Sequence, residues 1–158
     1  MKIVLDPGEM AVAQLLATLR RTVNQAAGIS DRRRDTRDPN VTELMGATAE
    51  VAFCKHFNCY PDLTVVPRRG GHDAILRGHR WDIKAVAKPD HRLLAAVEKS
   101  PGDVDCYALA VVSGPTVELV GWAPAGKLLH PATVVDLGHG PVHALSRGEL
   151  QAFPEAVS

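Results

Sequence analysis

Residues 73–86 read Asp73-Ala-Ile-Leu-Arg77-Gly-His-Arg80-Trp-Asp82-Ile-Lys84-Ala-Val86, two strand-like runs meeting at Gly78-His79. The simplest structure is a β-hairpin with a two-residue loop. That loop pairs Arg77 with Arg80, Ile75 with Asp82 and Asp73 with Lys84. Alternate residues of a strand share a face, as do opposed residues, so Asp73, Asp82 and Lys84 project from one side. A sheet tolerates converging charge when it is solvated, paired or bound to an ion. Two readings stay open at this point. One is an exposed salt-bridge ladder of Asp73 with Lys84. The other is a divalent cation held by Asp73, Asp82 and the main-chain carbonyl of Ile83, with waters completing the shell as magnesium prefers.

Outward from the hairpin, the polar loop Arg68-Arg69-Gly70-Gly71-His72 precedes it, and Leu63-Thr-Val-Val-Pro67 before that predicts a short strand. Asn40-Val-Thr-Glu43 predicts a capping box opening a helix that runs to about Phe57. Glu43, Gly46 and Glu50 share one face of it, with a side-chain-free position that suggests close approach. Asp6-Pro7 predicts the start of an earlier helix, whose apolar residues recur at helical spacing until Gly28.

Beyond Pro89, residues 91–100 predict a weak helix. Residues 106–112 form an apolar run typical of a strand buried on both faces, and Gly114-Pro115 turns it into 117–122. A short helix over 123–129, a last strand over 132–137 and a capping box from Ser146 to Glu149 complete the expectation.

The chain of 158 residues suits one domain, residues 1–158. Hydrophobic residues at 46% and charged residues at 23% exclude a disordered, collagenous or coiled-coil chain. No apolar run approaches a bilayer span and Asp6 and Glu9 interrupt any leader, so a soluble, cytoplasmic protein with no membrane partner is expected. Cys54, Cys59 and Cys106 suggest neither a disulfide framework nor a thiolate zinc site. The formal charge is zero, which argues against long-range attraction to nucleic acid, but its distribution is uneven. Residues 61–92 are net basic, and Arg32, Arg33, Arg34 and Arg37 form a second cluster. Either these arginines pair with Asp31, Asp35 and Asp38 on a solvated loop, or they dock locally on phosphates.

Glu50 in an Ala-Glu helix, Asp73 after a glycine-containing loop and Asp82-Ile83-Lys84 on the next strand resemble the PD-(D/E)XK nuclease superfamily, of the small phage or mobile-element type. The resemblance spans residues 43–122, with His72 where the motif has proline. It implies an α/β fold with a restriction-endonuclease-like core: a mixed central sheet flanked by helices in the order αβββαβ. It further implies a magnesium-dependent endonuclease, with manganese able to substitute, that hydrolyses DNA through a metal-activated water. Asp73, Asp82, the Ile83 carbonyl and Glu50 are then the metal set and Lys84 the catalytic lysine. Arg32, Arg33, Arg34, Arg68, Arg69 and His72 are candidates for DNA contact, and a homodimer would address both strands. The rivals are a non-catalytic nucleic-acid-binding or assembly module and an RNA-directed nuclease, which would need stacking surfaces from few aromatics. His139 and His143 have zinc-like spacing, but Gly138, Gly140 and Pro141 oppose the helix it requires. Gly70-Gly71 lacks the spacing of a nucleotide-cofactor loop. Trp81 and Trp122 are expected to pack in the core.

Overall fold

The computed structural model describes residues 1–28, 38–67 and 71–153. Strand β1 (Lys2–Val4) leads into α1 (Pro7–Ala26), capped as its sequence requires: Asp6 accepts from the Glu9 N–H while Glu9 accepts from that of Asp6. The second helix, α2 (Pro39–Phe57), begins two residues earlier than expected and without the Asn40–Glu43 box. Asp38 is the cap, accepting from the Asn40 N–H at 2.8 Å, with Pro39 in the first turn where its missing N–H costs nothing. The helix ends at Asn58, which takes the left-handed conformation at φ 49°.

The strands are β2 (Ala74–Leu76), β3 (His79–Val86), β4 (Leu93–Ala96), β5 (Cys106–Ser113) and β6 (Thr116–Pro124). They are followed by the short helix α3 (Ala125–Leu128), then β7 (Val134–Asp136) and β8 (Pro141–Leu145). A mixed sheet runs β1-β6-β5-β3-β2, antiparallel throughout except for the parallel pair β3–β5. A smaller antiparallel sheet, β4-β8-β7, forms a second layer. The architecture is α/β.

Alternation along β5 divides the interior in two. Cys106, Ala108 and Ala110 pack with Trp81, Ile83 and the buried faces of α1 and α2, whereas Tyr107 and Leu109 pack with Leu93, Leu128 and Leu145 of the second layer. A bulge after Leu109 shifts the register of β6, and beyond it Trp122 lies on the helix side, its ring 5.3 Å from that of buried Trp81.

Four expectations are corrected. Residues 63–67 form no strand; among the described residues, the pairing on the side of β2 away from β3 is the bridge Pro61–Ala74. The helix expected over 91–100 is β4, because Leu93 and Ala95 point into the core while their neighbours face outward, a period of two. The core order therefore lacks a helix between β3 and β5. The last strand is β8, not the run at 132–137, of which only Val134–Asp136 is strand. Gly46 has open space where a Cβ would stand, so no close approach among the described residues demands glycine there.

Candidate functional site

The hairpin is present with a different turn. Arg77 and Gly78, at φ 52° and 79°, form the two-residue loop, as a tight hairpin with both central residues at positive φ requires. Observed partners are Leu76–His79, Ile75–Arg80 and Ala74–Trp81, two residues from the expected register. Asp82 and Lys84 share one face of β3, while Asp73 stands just before β2, outside the paired register, with its N–H donating to the Trp81 carbonyl at 2.7 Å.

β2 is too short to cover all of β3, and the chemistry gathers at the uncovered edge. Asp73 replaces the missing strand partner: its Oδ2 accepts from the Ile83 N–H at 2.7 Å. The N–H and C=O of one strand residue point the same way, so the Ile83 carbonyl is directed to this edge as well. Burial, reinforced by the charge of Asp82, pushes the Asp73 carboxyl up from 3.8 to about 6. The Ile83 N–H, Lys84 and Arg20 pull it the other way without restoring the ordinary value.

Asp82 is buried, and the Lys84 ammonium lies 2.7 Å from its Oδ1 and 2.9 Å from its Oδ2. Lys99, which the sequence reading did not single out, stands 3.8 Å from Asp82 Oδ2. The ammonium of Lys84 is also 6.0 Å from the centre of the Tyr107 ring. The salt bridge at the ribbon is thus Lys84 with Asp82 along one strand, not a ladder of Lys84 with Asp73.

Glu50 does not join this group. It is buried on α2, and Arg20 of α1 donates Nη1 to both of its oxygens at 2.8 and 2.7 Å and Nη2 to the Asp62 carbonyl at 2.8 Å. Glu50 therefore does not face solvent, although it shares a helix face with Glu43. Arg20 was missed, although a signal existed: Ala13, Leu16 and Ala17 are the buried stripe of α1, and Arg20 continues it by three and four residues. A cation on an apolar face calls for a buried partner. Cys54 lies between the two regions. Its thiol, hydrogen-bonded to Cys59 and buried, is held well above the usual range, and the Glu50 and Asp73 charges add to that.

His72 is partly buried beside Asp73. Arg32, Arg33, Arg34, Arg37, Arg68 and Arg69 lie outside the described residues. His143 is buried in β8 with its Nδ1 2.9 Å from Thr133 Oγ1, a satisfied core histidine. Among the described residues no group of three or more His, Cys, Asp and Glu side chains is disposed to hold a metal. What the chain offers a cation is smaller: two mutually repelling carboxylates, Asp73 and Asp82, and the Ile83 carbonyl. Magnesium commonly takes one or two carboxylates and fills its octahedron with water and phosphate, so this donor set suits it. No helix among the described residues is long and apolar enough to cross a membrane. No family model, curated protein or solved structure matches the chain.

Proposed function

We propose that the chain is a magnesium-dependent endonuclease acting on DNA, on a restriction-endonuclease-like core. The observation that carries this reading is the meeting of Asp73 with Asp82 and Lys84 at an uncovered strand edge, where Asp73 accepts from the Ile83 N–H and is held near 6 by burial and by the charge of Asp82. The order of strands lends support: Asp73 immediately precedes β2, Asp82 lies on its antiparallel partner β3, and β5 joins β3 in parallel. Asp73, Asp82 and the Ile83 carbonyl would hold the cation, with manganese able to substitute. Bound there, it would polarise a phosphoryl oxygen and acidify a water.

The chain's own residues then have distinct tasks. Asp73 must be ionised to bind, so function rises with pH through about 6. Lys84 exchanges part of its contact with Asp82 for the attacking water and the developing phosphoryl charge. Glu50 acts at a distance, because with Arg20 it fixes α2 against α1 and against the chain at Asp62. The arginines outside the described residues are the proposed contacts to the DNA backbone, which would make affinity fall steeply with salt. In a homodimer two such sites would address the two strands of a duplex.

One observation favours a second reading, a non-catalytic nucleic-acid-binding module: both Asp82 oxygens are already within reach of Lys84. Incubation of supercoiled, linear and branched DNA with magnesium, manganese, calcium or chelator separates the two. The enzyme reading expects cleavage with magnesium or manganese only, with Lys84→Ala and Asp82→Ala each lowering the rate at least about a hundredfold. Wild type that cuts nothing, or variants that cut equally well, would leave the binding module. Cleavage of RNA but not DNA by the same residues would identify the RNA-directed alternative.

A further inference from the structure

A cleft of about 630 Å³ opens at the carboxyl end of β3, between the first turns of α2 and the second layer. Lys84 lines it, so it adjoins the candidate site directly. Its apolar wall comes from Met45, Leu94 and Val142, and the exposed Arg92 together with His91 stands at its polar side. Asp90 and the Thr42 hydroxyl add acceptors. A mostly apolar concavity with a few converging polar groups is the usual form of a small-ligand site, and this volume lies within the range such sites span.

We propose that the cleft seats one unpaired nucleotide of the substrate strand, which places the adjoining phosphate at Asp73, Asp82 and Lys84; this rests on the nuclease reading above. The occupant follows from the lining. A flat apolar base fits against Met45, Leu94 and Val142, and its exocyclic groups have Asp90 and Thr42 as partners. Phosphate oxygens find a bidentate donor in Arg92 and a second cation in Lys84. A duplex cannot enter a space of this size, so the substrates are strands with an unpaired residue beside the cut: frayed ends, flaps and gaps.

The test uses the full chain and dAMP at millimolar concentration in chelator, read by amide chemical shifts, with inorganic phosphate as a parallel probe. Expected are shifts at His91, Leu94 and Val142 with dAMP, weakened about tenfold in Arg92→Ala. Leu94→Trp, which fills a half-buried wall position, is expected to abolish them. Phosphate alone is expected to bind more weakly than dAMP and to be indifferent to Leu94→Trp. The proposal is overturned if dAMP does not bind, if both variants bind like wild type, or if phosphate matches dAMP. It would then fail even for a chain that cuts DNA. Conversely, dAMP bound in this way by a chain that cuts nothing supports the cleft and overturns the nuclease reading alone.

Discussion

Two partly hidden acidic centres lie on either side of the same strands and are handled in opposite ways. At Glu50 the charge is closed off: Arg20 spans both carboxylate oxygens and extends to the Asp62 carbonyl, and the pair's side chains are 6% and 18% exposed. At the hairpin edge, Asp73 and Asp82 repel each other, one backbone N–H serves Asp73, and Lys84, with Lys99 3.8 Å away, serves Asp82. The first arrangement holds elements together. The second leaves electrostatic cost unrelieved, and such cost is retained where an ion or substrate later relieves it.

The comparison breaks most severely at Arg20. Arg20→Met strands a buried carboxylate, and a loss of about 3–5 kcal/mol is expected in urea unfolding. A loss below about 1 kcal/mol would show that Glu50 is not sealed as described.

Asp73→Asn works in the opposite direction. Folded Asp73 binds its proton more tightly than the unfolded chain, where the value is 3.8. The wild type therefore loses stability as pH rises from about 4 through about 6, and the loss is complete above that window. Asparagine still offers an oxygen to the Ile83 N–H and carries no such loss. Asp73→Asn should then be more stable than wild type by about 2–3 kcal/mol near neutral pH and equal to it below about pH 4. Equal stabilities at both ends of the range would contradict the stored repulsion.

A cation should relieve the same repulsion. Magnesium at tenfold excess over its dissociation constant is expected to stabilise the wild type by about 1.4 kcal/mol in thermal unfolding and Asp82→Asn by much less. The smallest effect belongs to Lys55→Ala, which removes a surface contact with Glu9, itself 2.7 Å long between side chains 39% and 28% exposed. Less than about 1 kcal/mol is expected from that variant.

How far these features were legible depends on what each residue's neighbours had to be. The common face of Asp82 and Lys84 could be read because alternate residues of a strand share a side whatever the register. The register itself could not. It turns on Arg77 accepting a positive φ, which side-chain type does not advertise. Residues 106–112 were clear, since a strand buried on both faces needs an unbroken apolar run, and the Gly114-Pro115 turn led from it into 117–122, which is buried on alternate residues. Leu93-Leu94-Ala95-Ala96 fits helix and strand equally well, and the choice rests on β8, a distant segment that pairs with it. That segment was overlooked because Gly140-Pro141 reads as a turn, although an edge or first strand position accepts proline. Glu50 was identified as important on sequence grounds, but its partner Arg20 is thirty residues away, and only packing of α1 on α2 brings them together.

The most direct measurement is the carboxyl titration of Asp73 by carbon NMR, with and without saturating magnesium. The account predicts a midpoint near 6 in chelator, set by burial and Asp82, and a clear fall once the cation is present. An unchanged midpoint in magnesium would mean that the two aspartates share no ion, and the proposed chemistry would have no centre.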